Sequence, residues 1–476
     1  MARPATILTA LLPLALAQPQ PGSCVSRRMA RARARVHHIL TPPHPTNSPW
    51  PMLGGSPQRG ALSAASIAGA GAPVLAWSRT FGAAAGGVQS SVAVAADGTL
   101  LFGAADRALH ALNADGSDAW ALPARGAVSS SPALAAAGAV GGGAVLVGAA
   151  YPDNRVLAAD LDSGIVLWEY KTGSGVESSP LVGPDGAVYV GSDDGTLYAF
   201  GADGRGNLAW SFPTGAGNAI LSSPAMTPDG ARLFFGGSDG TLFALDAPTT
   251  GAGAAPAWDF SAGAGAALLA APSVSADGAR VVIGSKAGAA SALFSLNAST
   301  GALLWRAPLG ADVTAGAALG ADGAIFVATG YPSNALLAFE AGGALRWNFS
   351  RAGGDRASAP ALSADGAVVV GTLDGRVLAV EASTGALRWD YAAGAPVAAS
   401  PAIGADGTIY VGTTGGALLA LTPARAAPAS RTVVYVAAAL GAAALLSGVV
   451  FFARRRAAAA AAAPASDEDA RYAALG

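Results

Sequence analysis

Two tetrapeptides carry the residue types that bind ligands from loops: Tyr151-Pro-Asp-Asn154 and Tyr331-Pro-Ser-Asn334. An aromatic ring with a polar tip supplies large contact area at low entropic cost, so a matched pair is a candidate ligand clamp. The other reading, left open, is an old duplication that kept a longer turn in both halves. Charged residues gather on neighbouring loops: Asp153, Arg155, Glu177, Asp193, Asp194, Asp239 and Asp374, with Asn334 in the second tetrapeptide. These are candidate ligand-face residues, against the plain alternative that they solvate a surface. Glu177 and the Asp193–Asp194 pair are the carboxylates a Ca²⁺ would use, yet they form no recognisable site, because Ca²⁺ takes six to eight oxygens. Of the four histidines only His110 lies among the loops and strands of residues 46–424, so no Ser-His-Asp set is expected. The one cysteine, Cys24, excludes an internal disulfide. No catalytic residue and no metal ligand is assigned.

These loops need a scaffold, and Ser174–Trp210 shows what it is. Three strands are predicted at Ser178–Val182, Ala187–Val190 and Thr196–Phe200, and a fourth carries Trp210. Asp185-Gly186 and Asp193-Asp194-Gly195 turn the chain between them, since Asp and Gly tolerate the positive φ of tight hairpin turns. The first-strand unit occurs eight times, from Ser90–Gly98 to Ser400–Gly407, although the second copy has its turn replaced by the insertion Gly138–Gly143. Tryptophan follows at 120, 168, 210, 258, 305, 347 and 389, at spacings of 42 to 48 residues. Four strands at that period predict an all-β propeller of four-stranded antiparallel blades. Eight first strands meet only seven tryptophan strands. The missing one is Ala72–Phe81, with Trp77, so the N-terminal strand is expected to complete blade eight and remove both free edges.

Strands alternate in direction, so the Tyr-Pro loops, which join second to third strands, are expected on one face and on opposite blades, two and six. The tryptophans (Trp77, Trp120, Trp168, Trp210, Trp258, Trp305, Trp347 and Trp389) read as packing between blades.

Three segments resemble the tryptophan-docking motif of the pyrroloquinoline-quinone-like (PQQ-like) repeat propellers: Asp160-Leu-Asp-Ser-Gly-Ile-Val-Leu-Trp168, Asn297-Ala-Ser-Thr-Gly-Ala-Leu-Leu-Trp305 and Glu381-Ala-Ser-Thr-Gly-Ala-Leu-Arg-Trp389. Trp50-Pro-Met-Leu-Gly-Gly-Ser-Pro-Gln-Arg-Gly is similar to the opening of many such propellers. The resemblance covers roughly residues 46–424 and implies an eight-bladed ring. It also implies two function classes. Quinoprotein dehydrogenases of this kind bind pyrroloquinoline quinone and Ca²⁺, but often with an adjacent cysteine pair, and some add a Cys-x-x-Cys-His haem segment; both are absent here. Non-enzymatic members hold proteins.

The flanks set the expected topology. Residues 1–17 have the form of a signal peptide: Arg3, then the apolar Ile7–Ala17 ending in Ala15-Leu-Ala17. Residues 18–45 are a basic, Pro-rich linker, or a transit-like segment that would direct the chain to a plastid membrane. Residues 46–424 hold 16 Lys+Arg and 27 Asp+Glu, a net charge of 16 − 27 = −11, which argues against a nucleic-acid partner. Residues 425–432 are a spacer. Val433–Phe452 is uncharged and long enough to span a bilayer, and Arg454-Arg-Arg456 behind it favours a cytoplasmic C-terminus. Its Ala437/Gly441 and Ala444/Gly448 pairs suit helix self-association. The tail, 453–476, carries Tyr472-Ala-Ala-Leu475, which resembles a sorting motif. Asn297-Ala-Ser and Asn348-Phe-Ser are acceptor sequons for N-glycosylation, and Asn297 is expected to be exposed on a turn. Taken together, the sequence predicts a single-pass type I membrane protein whose extracellular or luminal propeller binds a protein or small ligand, with no cofactor expected. The alternative is a quinoprotein-type dehydrogenase.

Overall fold

A computed structural model describes residues 48–69, 71–82, 86–135, 143–247, 255–350 and 358–424. The signal-peptide, linker, membrane-helix and tail segments lie outside the described residues, as does most of the Gly138–Gly143 insertion. Among the described residues no helix is long and apolar enough to cross a membrane.

Eight four-stranded antiparallel sheets form the ring. The burial pattern follows from position in a blade. Second strands such as Leu100–Ala104 and Ala367–Gly371 are buried along their whole length, because both faces meet a neighbouring blade. Fourth strands such as Asp118–Pro123 alternate between exposed and half-buried, because they lie at the rim. Where second strands end, the next blade comes very close: a Cβ on Gly191 would collide with Ile220. Glycine there is a packing requirement.

Closure occurs where expected. Val74–Thr80 pairs antiparallel with Ala417–Thr422, Trp77 opposite Ala420, and completes the sheet of Ala402–Ile403 and Ile409–Gly412. Hydrogen bonds also close the ring at the axis. Ala359 N–H donates to Ser400 Oγ at 3.0 Å, Ser400 N–H to Ser91 Oγ at 3.1 Å and Ser91 N–H to Ser131 Oγ at 3.0 Å. The chain of bonds continues from Ser131 N–H to Ser179 Oγ at 2.8 Å and from Ser179 N–H to Ser223 Oγ at 2.9 Å.

That arrangement corrects two strand bounds. The first strand of blade three is Leu181–Val182 rather than Ser178–Val182, because Ser179 N–H is directed to the next blade and Pro180 has no N–H to give. The second strand is Val188–Gly191 rather than Ala187–Val190, one residue later.

The opening segment forms a floor beneath the ring. Trp50, Pro51, Pro57, Gln58, Gly60 and Ala61 carbonyls accept N–H groups from Val94, Leu134, Met226, Val274, Leu319 and Leu362, at 2.7 to 3.0 Å. These are first-strand residues of blades one, two, four, five, six and seven. Arg59 reaches blade three: its guanidinium donates to the carbonyls of Ser179 and Pro180 at 3.1 and 3.0 Å, to Pro224 on blade four at 2.9 Å, and to Leu53 at 2.8 Å. These bonds give partners to first-strand N–H groups at the centre of the ring, and they hold a strand-free stretch in place.

Candidate ligand face

The Tyr-Pro loops join Ala144–Ala149 to Arg155–Asp160 in blade two and Ile325–Ala328 to Ala335–Phe339 in blade six. Both are second-to-third connections, so they share a face, and four blades separate them in a ring of eight. Their conformations match. Both Tyr-Pro bonds are cis, both asparagines have positive φ (54° and 49°), and Tyr151 and Tyr331 are each 77% exposed. Asparagine tolerates the left-handed region better than other side chains, which is why it closes each loop.

Their supports differ. Asp153 is buried; its Oδ2 accepts the Arg125 N–H at 2.8 Å, and its Oδ1 lies 3.4 Å from Arg155 Nε. Arg155 also pairs with Glu169 at 2.7 Å. Blade six has Ser333 in place of that aspartate.

Of the other expected residues, Asp193 lies beside the blade-two loop. A Cβ on Gly175 would sit 2.8 Å from Asp193 Oδ2 and 3.1 Å from Tyr151 N, so the carboxylate and the loop flank the same glycine. Asp193 Oδ1 is buried without a hydrogen-bond partner. Desolvation, and then the charges of Glu177 and Asp194, push its carboxyl up to about 6. Glu177 is exposed. Asp194 does a different job, accepting from Thr196 N–H, Gly173 N–H and Tyr198 O–H, each at 2.8 Å. Asp239 accepts the Thr241 N–H at 2.9 Å, and Asp374 accepts the Thr372 hydroxyl. These three occupy the same place in their blades and tie down their own turns, as aspartate commonly does. The structure thus gathers Tyr151, Asp153, Arg155, Glu177, Asp193 and Asp194 at the junction of blades two and three. Tyr331 and Asn334 stand across the ring, and Asp239 and Asp374 belong to separate turns.

Among the described residues no three His, Cys, Asp or Glu side chains converge as a metal-ion set. The donor set does not fit a quinone-bound Ca²⁺ either: the oxygens of Asp194 are already committed, which leaves Asp193 and the exposed Glu177.

The tryptophans reach the following blade. Indole N–H groups of Trp77, Trp120, Trp258, Trp305 and Trp347 donate to the carbonyls of Ala114, Leu161, Ala298, Ala341 and Ala382 at 2.9 to 3.1 Å. Each carbonyl lies in a third-to-fourth turn, and the ring of Trp120 covers Gly164 so closely that a Cβ there would meet it at 2.5 Å. Trp168 covers Gly206 in the same way, and Trp210 is buried against Tyr189. Blade eight, which follows Trp389, has no such turn: the strand ends Thr422 and Val74 stand in its place. Asn348 is exposed, whereas Asn297 is half-buried, its Oδ1 accepting the N–H groups of Ser299 and Thr300 at 2.9 Å. The expectation that Asn297 is exposed on a turn is corrected: it ends the strand Ala292–Asn297, is half-buried and folds back on the turn that follows.

Sequence reasoning treated the serines that open the first-strand units, such as Ser178-Ser179, as part of the strand and the opening segment as a family marker. It missed that the second serines face the axis and that Arg59 lies beneath them. The recurrence of serine immediately before proline was the available signal.

The fold and this open loop face define a repeat propeller of the kind that presents loops around a ring. More particularly, the chain belongs to the family described as outer membrane protein assembly factor BamB, whose profile matches residues 70–174, 134–253, 251–392 and 289–427. The outer membrane protein assembly factor BamB of Burkholderia pseudomallei (strain K96243) is 33% identical over 96 residues, 20% of this chain and 24% of that one. The match thus spans about a quarter of that relative's length. Among solved structures, BamB from Moraxella catarrhalis superposes with a TM-score of 0.59 at 18% identity, covering 74% of this chain and 99% of the other. The quinohemoprotein alcohol dehydrogenase from Comamonas testosteroni gives 0.62 at 18% identity, covering 84% of each. At such identities these two likenesses concern the fold alone.

Proposed function

We propose that this protein is a membrane-tethered, exported propeller whose loop face captures a protein or small ligand. The observation that carries the reading is the asymmetry of the ring. The opening segment, the start of Val74–Thr80 and the end of Ala417–Thr422 all lie on the side of the third-to-fourth turns. The opposite face is free of these segments and holds two fully presented tyrosines. In this reading residues 1–17 direct export, 433–452 anchor the chain and 453–476 are cytoplasmic. The family membership supports a protein partner, since its namesakes are named as assembly factors.

The test is capture of partners by wild type and by the Tyr151→Ala/Tyr331→Ala variant. The wild type should retain a reproducible partner that the double variant loses. Equal retention by both would abandon the clamp. A glycosidase-sensitive band shift in a eukaryotic secretory host tests the topology, and Asn348, the exposed sequon, is expected to carry more of it than Asn297. The dehydrogenase alternative draws on fold likeness and is tested separately, by adding pyrroloquinoline quinone and Ca²⁺ and measuring dye reduction with alcohols.

A further inference from the structure

Between the floor and the loop face lies a cavity of about 210 Å³ on the ring axis. Its polar walls are Arg59, Gln89, Ser91, Ser131, Ser223 and Ser400, with the exposed Thr314 on the far side. The four serine oxygens each accept a backbone N–H from the preceding blade, or, for Ser91, from blade eight. A hydroxyl that accepts in this way still has its proton to give. Among the described residues none of these four protons has an acceptor. Ser91, Ser131 and Ser223 are buried, so the unmet donors are costly unless something in the lumen receives them.

Arg59 adds charge of the same sense. It is 2% exposed, and its four bonds go to carbonyls, which satisfy donors without neutralising a cation. No acidic side chain lines the cavity. Desolvation alone pushes the guanidinium down to about 9, the mark of a buried cation without a counter-ion.

The lumen is also two-sided. At the position of the second serine, blades five, six and seven carry Ala271, Gly316 and Ala359. Buried or half-buried hydroxyls therefore line the cavity from blades eight, one, two and four, and small apolar residues line it from blades five to seven apart from the exposed Thr314.

We propose that the axial cavity binds a small monocarboxylate, its carboxylate received by the serine hydroxyls above Arg59 and its short aliphatic body lying on Ala271, Gly316 and Ala359. One cation favours one negative charge, and the apolar arc disfavours an anion polar all round, such as phosphate. A cavity below the roughly 300–1,000 Å³ of drug-sized pockets suits a small molecule. This site is separate from the Tyr-Pro loops and does not depend on the capture reading.

The test is titration of the full-length protein with butyrate, followed by ligand-observed NMR and melting temperature, with 1-butanol, formate and inorganic phosphate as comparisons. Butyrate should bind saturably and raise the melting temperature, butanol should not, and phosphate should bind more weakly. Ser131→Ala/Ser223→Ala should weaken butyrate at least about tenfold; blades five to seven already place alanine or glycine there, so the ring accommodates it. Ala271→Ser is the second arm, chosen because it adds a single hydroxyl. It should weaken butyrate several-fold and leave formate unchanged. Equal binding of butyrate and butanol, tighter binding of phosphate, no saturable butyrate signal, or unchanged affinity in both variants would overturn the proposal.

Discussion

At the floor of the ring Arg59 is 2% exposed and bonded to four carbonyls; at the opposite face Tyr151 and Tyr331 are each 77% exposed. Both places depart from the blade repeat, and both use positive φ at a non-glycine residue, Arg59 at 56° and Asn154 at 54°. The difference lies in where the departure is spent. The floor segment crosses many blades and gives its backbone to their first strands, so a local irregularity becomes part of global closure. The Tyr-Pro loops are confined to one blade each and direct their large side chains outward. An irregular segment that satisfies the first strands of blade after blade is structural; one whose bonds stay within its own blade and the adjoining link and that exposes aromatic surface is available for binding.

The most severe way to break this contrast is to remove residues 46–82. Blade eight then loses Val74–Thr80 and the first strands lose their floor carbonyls. The truncated protein should be aggregated in size-exclusion chromatography, because an unpaired strand edge is a template for association. A monomer with unchanged melting temperature would refute the closure argument.

Trp210→Ala comes next. The residue is buried against Tyr189, and its loss should cost roughly 3–5 kcal/mol in denaturant unfolding, as for other large aromatic truncations in cores.

A smaller effect, with a defined sign, is expected at Asp193. Its folded-state value of about 6 lies above the ordinary aspartate value of about 3.9, so folding favours the protonated form. Any stability it contributes is present at low pH and is lost as pH rises through about 6. Asp193→Asn should therefore melt higher than wild type at pH 7.5, with the gap closing toward pH 4. A gap that is constant with pH would show that the carboxyl is not desolvated.

The smallest stability effect belongs to Tyr151→Ala and Tyr331→Ala. Surface changes of this kind usually stay within about 0.5 kcal/mol. Melting should be unchanged in both while partner capture falls, and Tyr151→Ala should have the larger effect, because only its loop adjoins Asp193 and the buried Asp153.

Much of this molecule was legible in the sequence. Tryptophan spacing, Asp-Gly turns and the surplus strand at Ala72–Phe81 determined the blade count and the closing partner, because each signal repeats locally and has to recur in every blade. The opposition of Tyr151 and Tyr331 followed from counting. Tertiary structure alone decided how carboxylates of the same type divide. Asp194, Asp239 and Asp374 are held by nearby N–H and hydroxyl donors, while Asp193 is left with an unpaired buried oxygen, a matter of what each side chain finds within 3 Å. It alone also decided that the adjacent Ser179 and Pro180, and the distant Pro224, present their carbonyls to the same arginine as nearby Leu53. A sequence period describes one blade at a time. The floor and the axial lumen are sums over the whole ring, and they exist only once the last blade has closed on the first.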